Sequence, residues 1–165
     1  MERTLYAAYG SNMNLTQMRM RCPMAKVVGN SMLKGYELLF RGSHGHAVAT
    51  VEPKKGGSVP VLVWEITPSC EANLDRYEGF PSFYRKETVK VRIGNKSEEV
   101  MVYIMNDGHP LNLPSRFYYN GIIDGYTAAG IPLDVLQQAL VRVKQPDDCV
   151  ADDTAGNGDG GEPAE

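Results

Sequence analysis

From Lys26 to Asn106 the chain writes one strand-like run after another with a single helical interruption, and that arrangement restricts the fold more than any other feature of the sequence. The runs are KVVGNSMLKGYELLFRG, HAVATVEP, PVLVWEIT, YRKETVKVRIG and SEEVMVYIMN, with KKGGS and IGNKS as the expected turns between neighbours. ETVKVRI alternates, Thr88, Lys90 and Arg92 against Val89, Val91 and Ile93, as a strand with one wet face does. RTLYAAYG adds an apolar strand at the start of the chain. Parallel pairing needs a crossover of a dozen or more residues between strands, usually a helix. Most of these runs lack one, so the pattern predicts an α+β fold: a small, mixed, barrel-like β-sheet with flanking helices rather than repeated βαβ units.

The helices fall around that sheet. NLTQMRMRC places Leu15, Met18 and Cys22 at helical spacing behind Asn14, with Gln17 in the capping-box position, and it must stop before Pro23. In TPSCEANLDRYEG, Thr67 can cap, Pro68 suits the first turn, Cys70, Leu74 and Tyr77 share one face, and Gly79 ends the helix. PSRFYYNGIIDGYTAAGIPLDVLQQALVRV reads as two helices broken at Gly130-Ile131-Pro132. From Asp147 onward the chain holds seven acidic residues, no Lys or Arg and few large apolar side chains. Such a segment buries too little surface to offset its ordering entropy. The expected organisation is one domain over residues 1–146 and a disordered acidic tail over 147–165.

Without that tail the body is mildly basic with its charges scattered, which gives no case for nucleic acid. No apolar stretch is long enough to span a membrane and the first residues carry no cleavable signal pattern, so the reading is a cytoplasmic protein. Cys22, Cys70 and Cys149 form neither a C-x-x-C pair nor an even framework, as expected for reduced thiols. His44 and His46 lie two apart and His109 in a separate turn, and nothing nearby completes a ligand set; no metal and no cofactor are expected. A nucleophile elbow and a phosphate-binding G-x-x-x-x-G-K-[ST] loop are both missing.

Two places remain for chemistry. At Tyr9-Gly10-Ser11-Asn12 a strand runs into a Gly-Ser-Asn turn and then a helix; such a junction exposes N–H groups that can cradle an anion, or serves only as a connection. In LDRYEGFPSFYRKE, Glu78 stands at a helix C-terminus among Phe80, Phe83 and Tyr84. The helix end disfavours a carboxylate by about 0.3–1 kcal/mol and aromatic burial raises its pKa further, so Glu78 is either a base tuned toward neutral pH or a solvated turn residue.

With YGSN and DRYEG in view, the chain resembles the γ-glutamylcyclotransferase family, the AIG2-like group. The matching stretches occur in order: YAAYGSNM, RMRCPMA, LKGYELLF, AVATVEP, LVWEI, LDRYEG, YRKETV and PSRFYYNGIIDGYTAAGIP. The resemblance implies a small barrel-like sheet with flanking helices. It also implies an acyltransferase- or lyase-type cyclisation that releases 5-oxoproline from a γ-glutamyl compound without a cofactor. It assigns Glu78 as acid/base, Tyr9, Gly10, Ser11 and Asn12 as the substrate loop, and Tyr84 and Tyr118 as further substrate contacts. Val61 stands where relatives often carry Gly, and the stretch from Arg41 to His46 has no counterpart; both bear on the substrate, not on the carboxylate. A non-catalytic binding module on the same fold and a γ-glutamyl amide hydrolase are the alternative classes.

Overall fold

A computed structural model describes the backbone of residues 3–154 and the side chains of residues 3–144. Its sheet has five strands, β1 (Thr4–Ala8), β2 (Lys26–Arg41), β3 (Val48–Ile66), β4 (Tyr84–Ile93) and β5 (Lys96–Met105), in the order β2-β3-β1-β5-β4. β1 is central, antiparallel to β3 with Tyr6 opposite Trp64 and parallel to β5 with Tyr6 opposite Met101, so the sheet is mixed. Its continuous apolar run follows from that place: Tyr6, Ala7 and Ala8 are all buried, as a strand covered on both faces requires. β4 and β5 form a hairpin closed at Gly94-Asn95, where Gly94 has φ 59°; β4 keeps Thr88, Lys90 and Arg92 exposed and buries Val91, as its alternation foretells. The Ser31 hydroxyl donates to the Arg92 carbonyl, bringing edge strands β2 and β4 together and curling the sheet toward a barrel.

One expected turn is instead a bulge. β3 runs unbroken through KKGGS: Lys34 pairs with Ser58 and Tyr36 with Pro53, so residues 54–57 all lie opposite Gly35. Gly56 takes φ 78°, and a Cβ on Gly57 would stand 2.3 Å from the Tyr36 carbonyl oxygen. The glycines bend the strand rather than reverse it, because β2 supplies partners on both sides of the kink.

Among the described residues four α-helices flank the sheet: α1 (Leu15–Arg21), α2 (Pro68–Glu78), α3 (Arg116–Ala128) and α4 (Asp134–Thr154). The Asn14 side chain caps α1 by accepting from the Gln17 N–H, but the Gln17 side chain does not reciprocate; it accepts from Arg21 at 2.8 Å, so the capping box is half made. Met18 and Cys22 are buried as expected, whereas Leu15 is 41% exposed, since α1 is too short to turn three apolar positions toward one wall. α2 is capped by Thr67 Oγ1 and stopped by Gly79 at φ 66°, with Cys70 and Leu74 inside. α3 and α4 are separated at Gly130, φ 69°, where the sequence breaks them. The backbone of α4 runs past Asp147 to Thr154; of the expected acidic tail, residues 155–165 and every side chain lie outside the described residues.

α3 presses closely on the turn that follows β1. A Cβ on Gly125 would lie 2.7 Å from the Met13 carbonyl carbon and 2.9 Å from the Asn14 nitrogen, and the Asn14 amide donates to the Gly121 carbonyl at 3.0 Å. Gly125→Ala therefore sets a helix-propensity gain of about 1 kcal/mol against a backbone clash of the overpacking kind, worth about 1–3 kcal/mol, that no side-chain rotation relieves. The clash wins. Thermal melts are expected to show Gly125→Ala melting several degrees below the parent, and an equal or higher melting temperature would show that α3 can stand off from the turn.

Candidate functional site

The end of β1 feeds a single 3-10 turn, Ser11–Met13, before α1 begins. The Met13 N–H donates to the Gly10 carbonyl and the Asn14 N–H to the Ser11 carbonyl, so the first N–H groups of the turn are left without partners inside it. The turn is held from three sides. Trp64 Nε1 donates to the Asn12 carbonyl at 3.1 Å, Gly10 lies so close to β3 and α3 that a Cβ would meet Ala49 at 3.2 Å and the Tyr118 hydroxyl at 3.4 Å, and Arg21 reaches back from α1. Arg21 Nη1 donates to Asn12 Oδ1 at 2.7 Å and to Ser11 Oγ at 3.3 Å, with its guanidinium 3.6 Å over the Tyr77 ring.

Those bonds orient one amide. With Oδ1 occupied by Arg21, Asn12 must turn Nδ2 the other way, where it donates to Tyr6 Oη at 2.9 Å and to Glu78 Oε1 at 3.3 Å. Glu78 ends α2, and its carboxyl group faces a cavity of about 210 Å³ walled by the turn, by Val48 and Ala49 of β3, by Phe83, and by Tyr6, Tyr9, Tyr84, Tyr103 and Tyr118. Burial raises the Glu78 pKa from 4.5 to about 7, and Arg21 opposes that rise without cancelling it. Its place at the negative end of α2 works in the same direction as burial.

The phenols divide by what they do with their one proton. Tyr9 donates to the Tyr103 carbonyl at 2.6 Å, Tyr84 to the Ala49 carbonyl at 2.6 Å, and Tyr103 to Asp75 Oδ1 at 2.6 Å; these rings are walls. Tyr6 accepts from Asn12, and Tyr118 accepts from the Ala49 N–H at 3.0 Å, which leaves each hydroxyl proton for an acceptor in the cavity. Burial, first of all causes, holds the phenols of Tyr6, Tyr9, Tyr84, Tyr103 and Tyr118 above their ordinary value, so they stay protonated donors at neutral pH.

The structure thus brings Tyr9, Gly10, Ser11, Asn12, Glu78, Tyr84 and Tyr118 around one cavity. Sequence reading missed Arg21, Tyr6, Tyr77 and Tyr103. Tyr77, expected on the buried face of α2, is 47% exposed and lies under Arg21 instead. Among the described residues no three His, Cys, Asp or Glu side chains converge on a point; His109 packs edge-on against Phe83 and belongs to no ligand set. No helix among the described residues is long and apolar enough to cross a membrane, and Cys22 and Cys70 are buried free thiols.

A buried carboxylate facing a tyrosine-lined cavity in a mixed, curled sheet is the arrangement expected of a small-molecule site equipped for acid–base chemistry. The comparisons with known proteins agree on which. Residues 6–120 match the family described as "Gamma-glutamyl cyclotransferase, AIG2-like", and the chain belongs to that family. It is 28% identical to human gamma-glutamylcyclotransferase over 155 residues, covering 89% of this chain and 81% of the human protein, and 28% identical to the Bos taurus protein of that name over 141 residues, covering 81% and 75%. A solved gamma-glutamyl cyclotransferase structure superposes with a TM-score of 0.76 at 27% identity, over 84% of this chain and 86% of that one.

The raised Glu78 pKa has a thermodynamic signature. The folded state holds a proton on Glu78 up to about pH 7 that the unfolded chain releases near 4.5, so this group lets stability fall as pH rises through that window. Glu78→Gln is expected to melt higher than the parent at pH 8 and to lose that advantage at pH 5. Arg21→Met should move the Glu78 titration upward in carboxyl infrared spectra, because the opposing cation is gone. A Glu78 midpoint near 4.5 in the parent, or no movement in the Arg21 variant, would contradict this electrostatic account.

Proposed function

We propose that this protein releases 5-oxoproline from a γ-glutamyl compound by internal cyclisation, with Glu78 as base and then acid. The observation that carries the reading is the carboxyl group of Glu78, its pKa raised to about 7, at the edge of a cavity lined by Gly10, Ser11 and Asn12. Once neutral, the substrate's α-amine attacks its own γ-carbonyl carbon while Glu78 takes one of the amine's protons. The oxyanion that forms would be met by the Ser11 and Asn12 N–H groups and the hydroxyl proton of Tyr118, where each well-placed donor is typically worth ~3 kcal/mol. Glu78 then returns the proton to the departing nitrogen as the old amide bond breaks. A new lactam bond has replaced it and Glu78 is restored.

A pKa near 7 serves both half-steps, since the group is neither too weak a base nor too weak an acid. Nucleophile and electrophile are already in one molecule, so the site has mainly to hold them together, and the scheme asks for no cofactor. Similarity to relatives named gamma-glutamylcyclotransferase supports the assignment, and the buried free thiols suit a cytoplasmic protein.

Glu78→Gln should reduce 5-oxoproline release by at least the ~10²–10⁴ usual for a lost acid–base group while leaving substrate binding in place. Glu87→Gln is the control, because Glu87 is paired with Arg85 on β4 and lines no part of the cavity. Near-normal turnover at 78 would sink the mechanism, and selective loss at 87 would name a different glutamate. Product analysis adds the class: free glutamate in place of 5-oxoproline would mean hydrolysis, and unchanged substrate a binding module. Turnover is also expected to survive exhaustive chelation; loss restored by zinc would require a metal.

A further inference from the structure

We propose that a second cavity beside the first, beyond Val48 and Phe83, holds the leaving group and favours amines that carry an uncharged apolar or aromatic substituent. The inference rests on the γ-glutamyl reading above and extends it to the other half of the substrate.

The first cavity, about 210 Å³, is smaller than the roughly 300–1,000 Å³ typical of ligand pockets, so it takes the glutamyl end and little else. Whatever is attached to the γ-carbonyl must leave it past one of its walls. Val48 and Phe83 are walls of a second cavity as well, about 530 Å³, completed by the segments around Ser43, His46, His109 and Pro110. Phe83 stands between the two sites: its ring packs edge-on to Tyr84 at 5.0 Å on the catalytic side and to His109 at 4.9 Å on the other.

The two segments are tied together rather than loose. The Gly42 N–H donates to the Pro110 carbonyl at 2.9 Å, the Asn112 side-chain amide donates to the Gly42 carbonyl at 2.6 Å, and Arg41 Nη1 donates to the His109 carbonyl at 3.0 Å. A site held in this way binds without the cost of ordering its loops. The stretch from Arg41 to His46 is also the one without a counterpart in the resemblance read from the sequence, so this wall is where the chain would set its own preference.

The chemistry of the lining decides what fits. Val48, Phe83 and Pro110 offer apolar and aromatic surface, His46, His109 and Ser43 offer hydrogen-bonding edges, and no Asp, Glu, Lys or Arg contributes to the lining. The neighbouring Arg41 is committed to Glu52. A leaving amine with a second, cationic amino group would shed hydration there without meeting a carboxylate, whereas an aromatic substituent would exchange water for Phe83 and Pro110.

Three synthetic amides test this in the intact 165-residue chain: the γ-glutamyl amides of benzylamine, of methylamine and of 1,4-diaminobutane. The benzylamide is expected to exceed the methylamide in kcat/KM by about tenfold or more, and the diaminobutane conjugate to gain nothing over the methylamide. Ser43→Trp, at an exposed position on the rim, should fill the second cavity and bring the benzylamide kcat/KM down to that of the methylamide measured in the same variant; His109→Ala should weaken the same advantage by removing a wall. Equal values for benzyl and methyl, a preference for the cationic conjugate, or a benzyl advantage that survives Ser43→Trp would overturn the assignment. Calorimetric affinities for the three amides separate this from the cyclisation reading. A benzyl preference in binding with no 5-oxoproline from any amide would defeat the cyclisation alone, while 5-oxoproline from all three at equal efficiency and affinity would defeat the subsite alone.

Discussion

The buried side-chain amide of Asn12 is the joint on which the site depends. Its carbonyl oxygen is taken by Arg21, its nitrogen is shared between Tyr6 and Glu78, and its backbone carbonyl is held by Trp64, so one residue connects β1, α1, β3 and α2. At 2% exposure an amide in this place cannot fall back on water; each missing partner would leave a polar atom unsatisfied, at a cost of about 1–3 kcal/mol. That penalty keeps the four elements in register, and the same bonds aim a donor at the carboxylate. The structural and the chemical roles of Asn12 are therefore one set of contacts.

The electrostatics of Glu78 follow from a contest between two terms of unlike origin. Desolvation by the tyrosine-walled cavity disfavours the charged form, and the charge of Arg21, which lies outside the cavity lining and bonds Asn12 rather than the carboxylate, pulls the other way. Had the guanidinium reached the carboxylate itself, an ion pair would have lowered the pKa below the ordinary range. Interposing an amide weakens the attraction enough for burial to win. Behind α2, Lys86 bonds Glu71 and Asp75, and Asp75 in turn accepts from Tyr103, which braces the helix face next to the site.

Much of this was readable before any coordinates. The strand runs, the wet face of β4, the caps of α1 and α2 and the break between α3 and α4 depend on neighbours in sequence, and local chemistry suffices for them. KKGGS misled because two glycines serve a hairpin and a bulge equally well; only the presence of β2 across both halves of β3 distinguishes the two. Arg21 was hidden for a related reason: a cation in the last turn of a helix is what the helix dipole favours anyway, and nothing in RMRCP shows that its side chain turns back ten residues to the preceding turn. Tyr6 passed for one more residue of an apolar first strand, and Tyr77 for a member of a buried stripe. What could not be read were contacts between elements; the sequence signal for Glu78 and the turn came from short, contiguous motifs.

The placement of Glu78 on the last turn of α2 ties its direction to a residue count. α2 is eleven residues long, started by Thr67 and stopped by the left-handed Gly79, and successive side chains on a helix are rotated by about 100°. Adding or deleting one residue anywhere between those two caps would swing the carboxylate out of the cavity, even where every other residue of the helix tolerated the change. Substitutions along the exposed side of α2 can accumulate freely in descendants of this sequence, whereas its length behaves as a quantised variable: a helix of fixed phase, in which drift in composition is permitted and insertion is not.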